Sequence, residues 1–318
     1  MPLLNPPDIL PEAMRYLART IIAHRGNRCS KADLLALVAP EGLVETMRPL
    51  DRDKDDDPDA DNTAESGRII AERSLAALIN LGFVVQHDAE VAATEVALSL
   101  WRSADAITPA SFSRAVRSQI WRVAKSDRDS GTAQVEDLVQ AVGVLFAARE
   151  PLRPFEFETG QGRHFAEAQA SEFGPLKKDW PVTNATQFLP LCRWAPYLGL
   201  AQPLSPRSLV ADASQALRHD LAQLPAQRFR AADFVARCAE ALPISDGGPW
   251  SRWKSDDGQE LSPGLSMSLR QLEAEGYLTF PPAESDTDAL TVTLGQTAES
   301  IRISHIDWHP QGSAKERP

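Results

Sequence analysis

Apolar and polar positions recur along this chain with the spacings of helices and short strands. Leu10, Met14, Leu17 and Ile21 step by four, three and four, which is one helix face, and the pattern predicts a first helix that stops at Gly26. Ser30-Lys-Ala-Asp33 has the form of a capped start and predicts a second helix carrying Leu34, Leu37 and Val38. A third helix is predicted from about residue 63 to 81, ended by Gly82. The apolar, β-prone stretch 83–94 follows at once, and its polar centre, His87-Asp-Ala-Glu90, predicts a hairpin tip.

The ending of that third helix is repeated. Ser74-Leu-Ala-Ala-Leu-Ile-Asn-Leu-Gly82-Phe-Val-Val aligns without a gap on Ser268-Leu-Arg-Gln-Leu-Glu-Ala-Glu-Gly276-Tyr-Leu-Thr. Both read as amphipathic final turns, a glycine able to take φ > 0, and an extended segment beginning with an aromatic. A leucine-bearing helix closed by glycine and returned as a strand is the junction between the third helix and the wing of a winged helix. In the second copy Phe229, Phe234 and Val235 open the unit, and Leu261-Ser-Pro-Gly-Leu leads into its third helix. The runs 277–280 and 289–294 are expected to pair around the polar turn 283–288. A weaker echo, Arg193-Trp-Ala-Pro-Tyr-Leu-Gly199-Leu-Ala, lies between the two, preceded by a helix over 135–148 with Leu138, Val142 and Leu145. Pro196 is expected to kink it.

The expected fold class is therefore mainly α with small β-wings: tandem winged-helix units at both ends and a helical middle, either plainly helical or a degenerate third winged helix. The expected divisions are 1–103, with an acidic insert at 51–65; 104–204, opened by Thr108-Pro109 as cap and first helical residue; 205–309, after a hinge at Pro203-Leu-Ser-Pro206; and a frayed tail, 310–318.

Composition narrows the function. At 318 residues the chain is long enough for about two domains. Its formal charge of −11 excludes a generally basic nucleic-acid coat, so any contact with DNA must come from a local patch. Cys29, Cys192 and Cys238 are too far apart for a zinc knuckle or a disulfide framework. The opening lacks the charged and apolar regions of a signal peptide, and the longest apolar run, near 141–148, is far short of a membrane span. A cytoplasmic protein is expected.

The acidic run 51–61 holds seven aspartates against Arg52 and Lys54. It misses the calcium-loop register: starting at Asp51 or Asp53, the sixth position is Asp56 or Pro58 where glycine is needed. It reads as a solvated insert, and its charge opposes an approach of the neighbouring third helix to phosphates. The segment after Pro109 is the most basic one. Arg114, Arg117, Trp121, Lys125 and Arg128 step along one face with Arg122 beside them, while Phe112, Val116, Ile120 and Val123 take the other. Such a stripe can dock an acidic partner or contact nucleic acid. Arg117→Glu with Lys125→Glu is expected to weaken nucleic-acid or partner binding and leave the melting temperature nearly unchanged, whereas equal binding would mean that the stripe is only solvated surface. His305-Ile-Asp-Trp-His309 has metal-ligand spacing only on a helix, and Ile301, Ile303 and Ile306 favour extended chain instead. Gly160-Gln-Gly162 lacks the third glycine of a dinucleotide loop, and no P-loop, nucleophile elbow or kinase signature occurs. No enzyme, metal or cofactor is expected.

Three segments together resemble one family: Pro2-Leu-Leu-Asn-Pro-Pro-Asp-Ile-Leu-Pro-Glu-Ala13, the helix end Leu81-Gly-Phe-Val84, and Trp194-Ala-Pro-Tyr-Leu-Gly-Leu200. The chain resembles the DpdG proteins of bacterial islands that place 7-deazaguanine derivatives in DNA and restrict unmodified DNA. The resemblance implies an accessory component acting beside helicase, ATPase and phospholipase-D-type nuclease proteins, with no catalytic residues to carry over. The expected function is a non-catalytic adaptor of a DNA-processing or phage-defence assembly whose modules dock proteins. The competing expectation is a sequence-specific DNA-binding regulator in which Arg68 and Arg73, or Ser268 and Arg270, read the major groove from the third helices.

Overall fold

The structure is a computed structural model describing residues 2–5, 8–38, 63–130, 134–150, 152–157, 163–255, 258–282, 288–293 and 300–312. The chain forms two compact units, Met1–Gln134 and Val135–Pro318, mainly helical with small sheets. The acidic run 51–61, the pair Gly160 and Gly162, and the tail from 313 lie outside the described residues.

The first unit runs α1 (Pro11–Ala23), β1 (Arg28–Ser30), α2 (Lys31–Val38), α3 (Thr63–Asn80), β2 (Val84–His87), β3 (Glu90–Ala93), α4 (Glu95–Leu100) and α5 (Pro109–Ser130). Met14, Leu17 and Ile21 of α1 face Leu75 and Leu78 of α3 in the core, and the buried Ser74 hydroxyl accepts the Leu10 N–H at 3.3 Å. In α2 the inward pair is Leu34 and Leu35, whereas Leu37 is 63% exposed. Neighbouring apolar residues at 34, 35, 37 and 38 leave the facing side of this short helix to be chosen by packing. The three strands form an antiparallel sheet in the order β1-β3-β2, with Cys29 opposite Val91 and Val84 opposite Ala93.

Val135–Pro318 contains α6 (Glu136–Ala147), β4 (Phe155–Glu156), β5 (Arg163–His164), α7 (Phe165–Phe173), α8 (Ala185–Tyr197), β6 (Ala201–Ser205), β7 (Ser208–Ala211) and α9 (Ser214–Asp220). It continues with β8 (Gln227–Arg230), α10 (Ala231–Ala241), α11 (Pro263–Ala274), β9 (Leu278–Thr279), β10 (Leu290–Val292), β11 (Ile301–Ile303) and β12 (His305–Trp308). Its sheets are ordered β5-β4-β7-β6, β8-β12-β9 and β10-β11; β4 and β5 pair in parallel, and Glu260 makes a single parallel bridge to Thr291 of β10.

Three helices end in the same way. Gly82, Gly199 and Gly276 have φ of +74°, +71° and +81°. In each case the glycine N–H returns to a carbonyl three residues back (Ile79, Pro196, Glu273), and the next N–H returns five back (Leu78, Ala195, Leu272), at 2.8–3.0 Å. This double closure satisfies last-turn carbonyls and requires a left-handed residue, which costs a side-chain-bearing residue about 1–2 kcal/mol. A strand follows each time: β2, β6 and β9. The middle echo is thus a full helix–glycine–strand junction, and Pro196 lies inside its helix. Around each junction a helix, strand, helix, helix, strand, strand order is traceable, with β5 added after β4 in the middle copy and the β10–β11 ribbon inserted between β9 and β12 in the last. The final strand lies between the other two: β1-β3-β2, β4-β7-β6 and β8-β12-β9.

The return strand of the last copy is not the expected one. β9 pairs with β12, with Thr279 opposite Asp307, while β10 pairs with β11 in a separate ribbon. Alternation explains the choice: β12 sends Ile306 and Trp308 into the core, where Trp308 meets Phe234 at 5.4 Å between ring centroids. The turn 283–287 lies outside the described residues.

Two expected boundaries also fall elsewhere. Residues 104–130 belong to the first unit, where Trp101 stacks on Phe112 at 5.5 Å and meets Phe83 at 5.2 Å. The Pro203–Pro206 region is a hairpin rather than a hinge, with Pro203 opposite Leu209. β6 lies at the edge of its sheet, where a strand tolerates proline. Among the described residues no helix is long and apolar enough to cross a membrane.

Candidate functional site

The exposed side of α5 is the strongest candidate. Thr108 starts the helix: its Oγ1 accepts the Ser111 N–H at 3.1 Å, and Ser111 Oγ accepts the Thr108 N–H at 3.0 Å in return. Phe112, Ala115, Val116, Ile120 and Ala124 pack inward, and Val123, expected with them, is half-buried. Arg114, Arg122, Lys125 and Arg128 are exposed. One guanidinium nitrogen of Arg122 lies 3.4 Å from where a Cβ on Gly82 would stand, so this cation overlies the corner between α3 and the β2–β3 ribbon.

Arg117 departs from the expected stripe. It is only 1% exposed, hence a core residue that contributes nothing to a solvated face. At about 100° per residue it sits roughly 60° from Arg114, on the border of the apolar side, where its long stem follows the packing of Val116 and Ile120 inward. Trp121 is half-buried, and its Nε1 is shielded with no hydrogen-bond partner among the described residues. Trp121 is therefore part platform and part packing, with four surface cations around it.

The third-helix candidates are differently placed. Arg68 is exposed but paired with Glu72 at 3.0 Å, and Arg73 is paired with Asp8. Arg270 is tied to Glu273 at 2.5 Å. Ser268 is fully buried, donates to the Gly264 carbonyl at 2.7 Å and accepts the Ala213 N–H at 2.8 Å, so it has no surface to offer a base edge. The reason is the position of α11: Pro263, Gly264, Leu265, Ser266, Ser268, Leu269 and Leu272 are all buried. Gly264 is seated against α6, where an added Cβ would come within 2.7 Å of Phe146 Cα.

One feature had no sequence signal beyond the turn-forming run Ser245-Asp-Gly-Gly-Pro249. A cleft of about 690 Å³ lies between α10, that turn and the residues Trp253, Ser255, Gly258, Glu260 and Leu261, with Leu290 on its margin. Asp246, in its wall, accepts the Ser262 N–H at 2.6 Å through Oδ2, which holds the start of α11, while Oδ1 has no hydrogen-bond partner among the described residues. Burial raises the Asp246 pKa above the usual carboxylate value, opposed by its bonds to Ser262. The folded protein therefore keeps this proton over a range in which the unfolded chain has lost it, and stability falls as pH rises from about 4 through the raised value. Asp246→Asn keeps an acceptor for Ser262, so the variant should lack that fall. Its thermal stability relative to the parent should improve between pH 4 and neutrality. Parallel melting curves against pH check this.

The cysteines offer no nucleophile. Burial pushes Cys192 up to about 12 and raises Cys29 and Cys238 as well, keeping the thiols protonated at neutral pH. Among the described residues no group of three or more His, Cys, Asp and Glu is placed to hold a metal, and His305 lies in the extended β12.

The DpdG-like family model matches residues 1–288 of the chain. No curated protein and no solved structure matches it.

Proposed function

Since the chain belongs to the DpdG-like family, which ties it to the Dpd DNA-modification system, we propose that it is a non-catalytic adaptor of that system, built from winged-helix modules that dock proteins. The modular reading rests on the three glycine-closed helix-to-strand junctions and the shared strand order β1-β3-β2, β4-β7-β6 and β8-β12-β9, to which the middle copy adds β5 and the last the β10–β11 ribbon. The docking reading rests on one observation above all. The cations Arg114, Arg122, Lys125 and Arg128 stand exposed on α5 of a chain whose net charge is −11, while the polar residues that would read a groove from the third helices are paired or buried.

A partner with an acidic docking face fits this arrangement, and the proteins of the same system, of helicase, ATPase or nuclease type, are the candidates. Local positive charge on a negative molecule favours a matched protein surface over a long polyanion, because the global field repels the rest of the duplex. Nucleic acid remains a secondary ligand of the same stripe, through stacking on the accessible part of Trp121.

Titration of a labelled duplex against the purified protein over a range of salt concentrations separates the adaptor from the regulator. The adaptor reading expects weak binding without sequence preference, and a log K against log salt slope of no more than about −0.9 for each of a few phosphates. Tight, sequence-selective binding lost on Arg68→Ala or Arg270→Ala would overturn it in favour of the regulator.

A further inference from the structure

The cleft beside α10 has a composition that selects its occupant. Its floor is made of small and aliphatic side chains: Ala232, Val235, Ala236, Leu261 and Leu290. Three carboxylates, Glu240, Asp246 and Glu260, line it, and among the described residues no lysine, arginine or histidine does. Glu240 is already paired with Arg237 at 2.8 Å, whereas Glu260 is exposed and has no ion-pair partner among the described residues. Asp246 is nine-tenths buried in the wall, and its Oδ1 has no hydrogen-bond partner among the described residues.

The aromatic side is held in place. Trp253 donates its Nε1 hydrogen to the Glu260 carbonyl at 2.9 Å, and Ser255 Oγ accepts the Glu260 N–H at 3.1 Å. The chain after it is fixed along β10, because Leu261 N–H donates to the Thr291 carbonyl at 2.9 Å and Thr291 N–H donates to Gln259 at 2.8 Å. The indole is thus presented on a braced loop, facing a cleft whose volume is in the range that takes a small ligand or a short peptide side-chain pair.

From this geometry we infer that the cleft is a docking site for a protein segment bearing arginine or lysine. The aliphatic stem of such a side chain matches the alanine, valine and leucine floor, and its cationic head meets Glu260 and Trp253. Charge complementarity extends beyond the cleft, since Val135–Pro318 carries 24 Asp and Glu against 17 Lys and Arg. An acidic or neutral apolar segment would leave Glu260 unpaired beside it. This site is independent of α5 and does not rest on the adaptor's cationic face.

Calorimetric titration of the full-length protein with a blocked peptide of alternating leucine and arginine tests the inference, with the citrulline analogue as the uncharged match. The expected result is binding of the arginine peptide at least tenfold tighter than the citrulline peptide. Ala236→Trp, which fills the cleft without changing charge, and Glu260→Gln should each weaken it at least fivefold, while Asp233→Asn, on α10 but outside the cleft, should not. Melting curves confirm that Ala236→Trp is folded; should it not be, Glu260→Gln alone decides. Equal binding of the two peptides, no binding of either, or undiminished arginine-peptide binding by the folded blocked variant would overturn the proposal. Undiminished binding by Glu260→Gln would do the same.

Discussion

Arg117→Glu is expected to destabilise the first unit by about 3 kcal/mol or more, because it places an inverted charge where only 1% of the residue meets solvent. The guanidinium is engaged inside the protein, and its replacement by a carboxylate both removes that interaction and introduces repulsion in a region of low polarity. Lys125→Glu and Arg128→Glu, on the exposed side of the same helix, should change stability by no more than about 0.5 kcal/mol each. The double change Arg117→Glu with Lys125→Glu therefore lowers the melting temperature, contrary to what the spacing along α5 implies. Urea or thermal denaturation of the three single variants measures the contrast. A wild-type-like Arg117→Glu would mean that this residue is part of the surface stripe after all.

The second large effect is expected at Gly264. A single added carbon there would come within 2.7 Å of Phe146 Cα and 2.8 Å of two atoms of its ring. Backbone cannot withdraw as a flexible side chain can, so Gly264→Val must push α11 away from α6, at about 3 kcal/mol. Arg270→Ala, on the half-exposed side of α11, should cost about 0.5 kcal/mol or less. If α11 were a free groove-reading helix the ranking would be reversed: Gly264 would tolerate the change, and Arg270 would matter for binding. Denaturation of the two variants decides between these roles.

Much of this arrangement is legible in the residues, and what is not has identifiable causes. The glycine endings are legible because a left-handed residue after a leucine face has few other uses, and the structure places Gly82, Gly199 and Gly276 there, each ahead of a strand. The partner of β9 is not, because the run at 289–294 and the run at 305–308 are equally β-prone, and both have residues to bury, Val292 in the first and Ile306 and Trp308 in the second. Ser268 reads as a polar surface residue, yet a serine can return its hydroxyl to the carbonyl four residues back and lie in a core, as it does here with Gly264. Arg117 is misread because helical spacing gives a direction but not the width of the buried face. The cleft is invisible in periodicity, since its acidic wall is assembled from a turn, a loop and one helix that are separated along the chain.

The adaptor account stands or falls on the α5 surface, and affinity capture from cells carrying the complete Dpd system tests it most directly. Tagged protein with the native helix should retain other proteins of that system after nuclease treatment. The variant combining Arg114→Glu, Lys125→Glu and Arg128→Glu should lose at least tenfold of that retention, with an unchanged melting temperature. Equal capture by both proteins, or capture that vanishes once DNA is digested, would contradict the account.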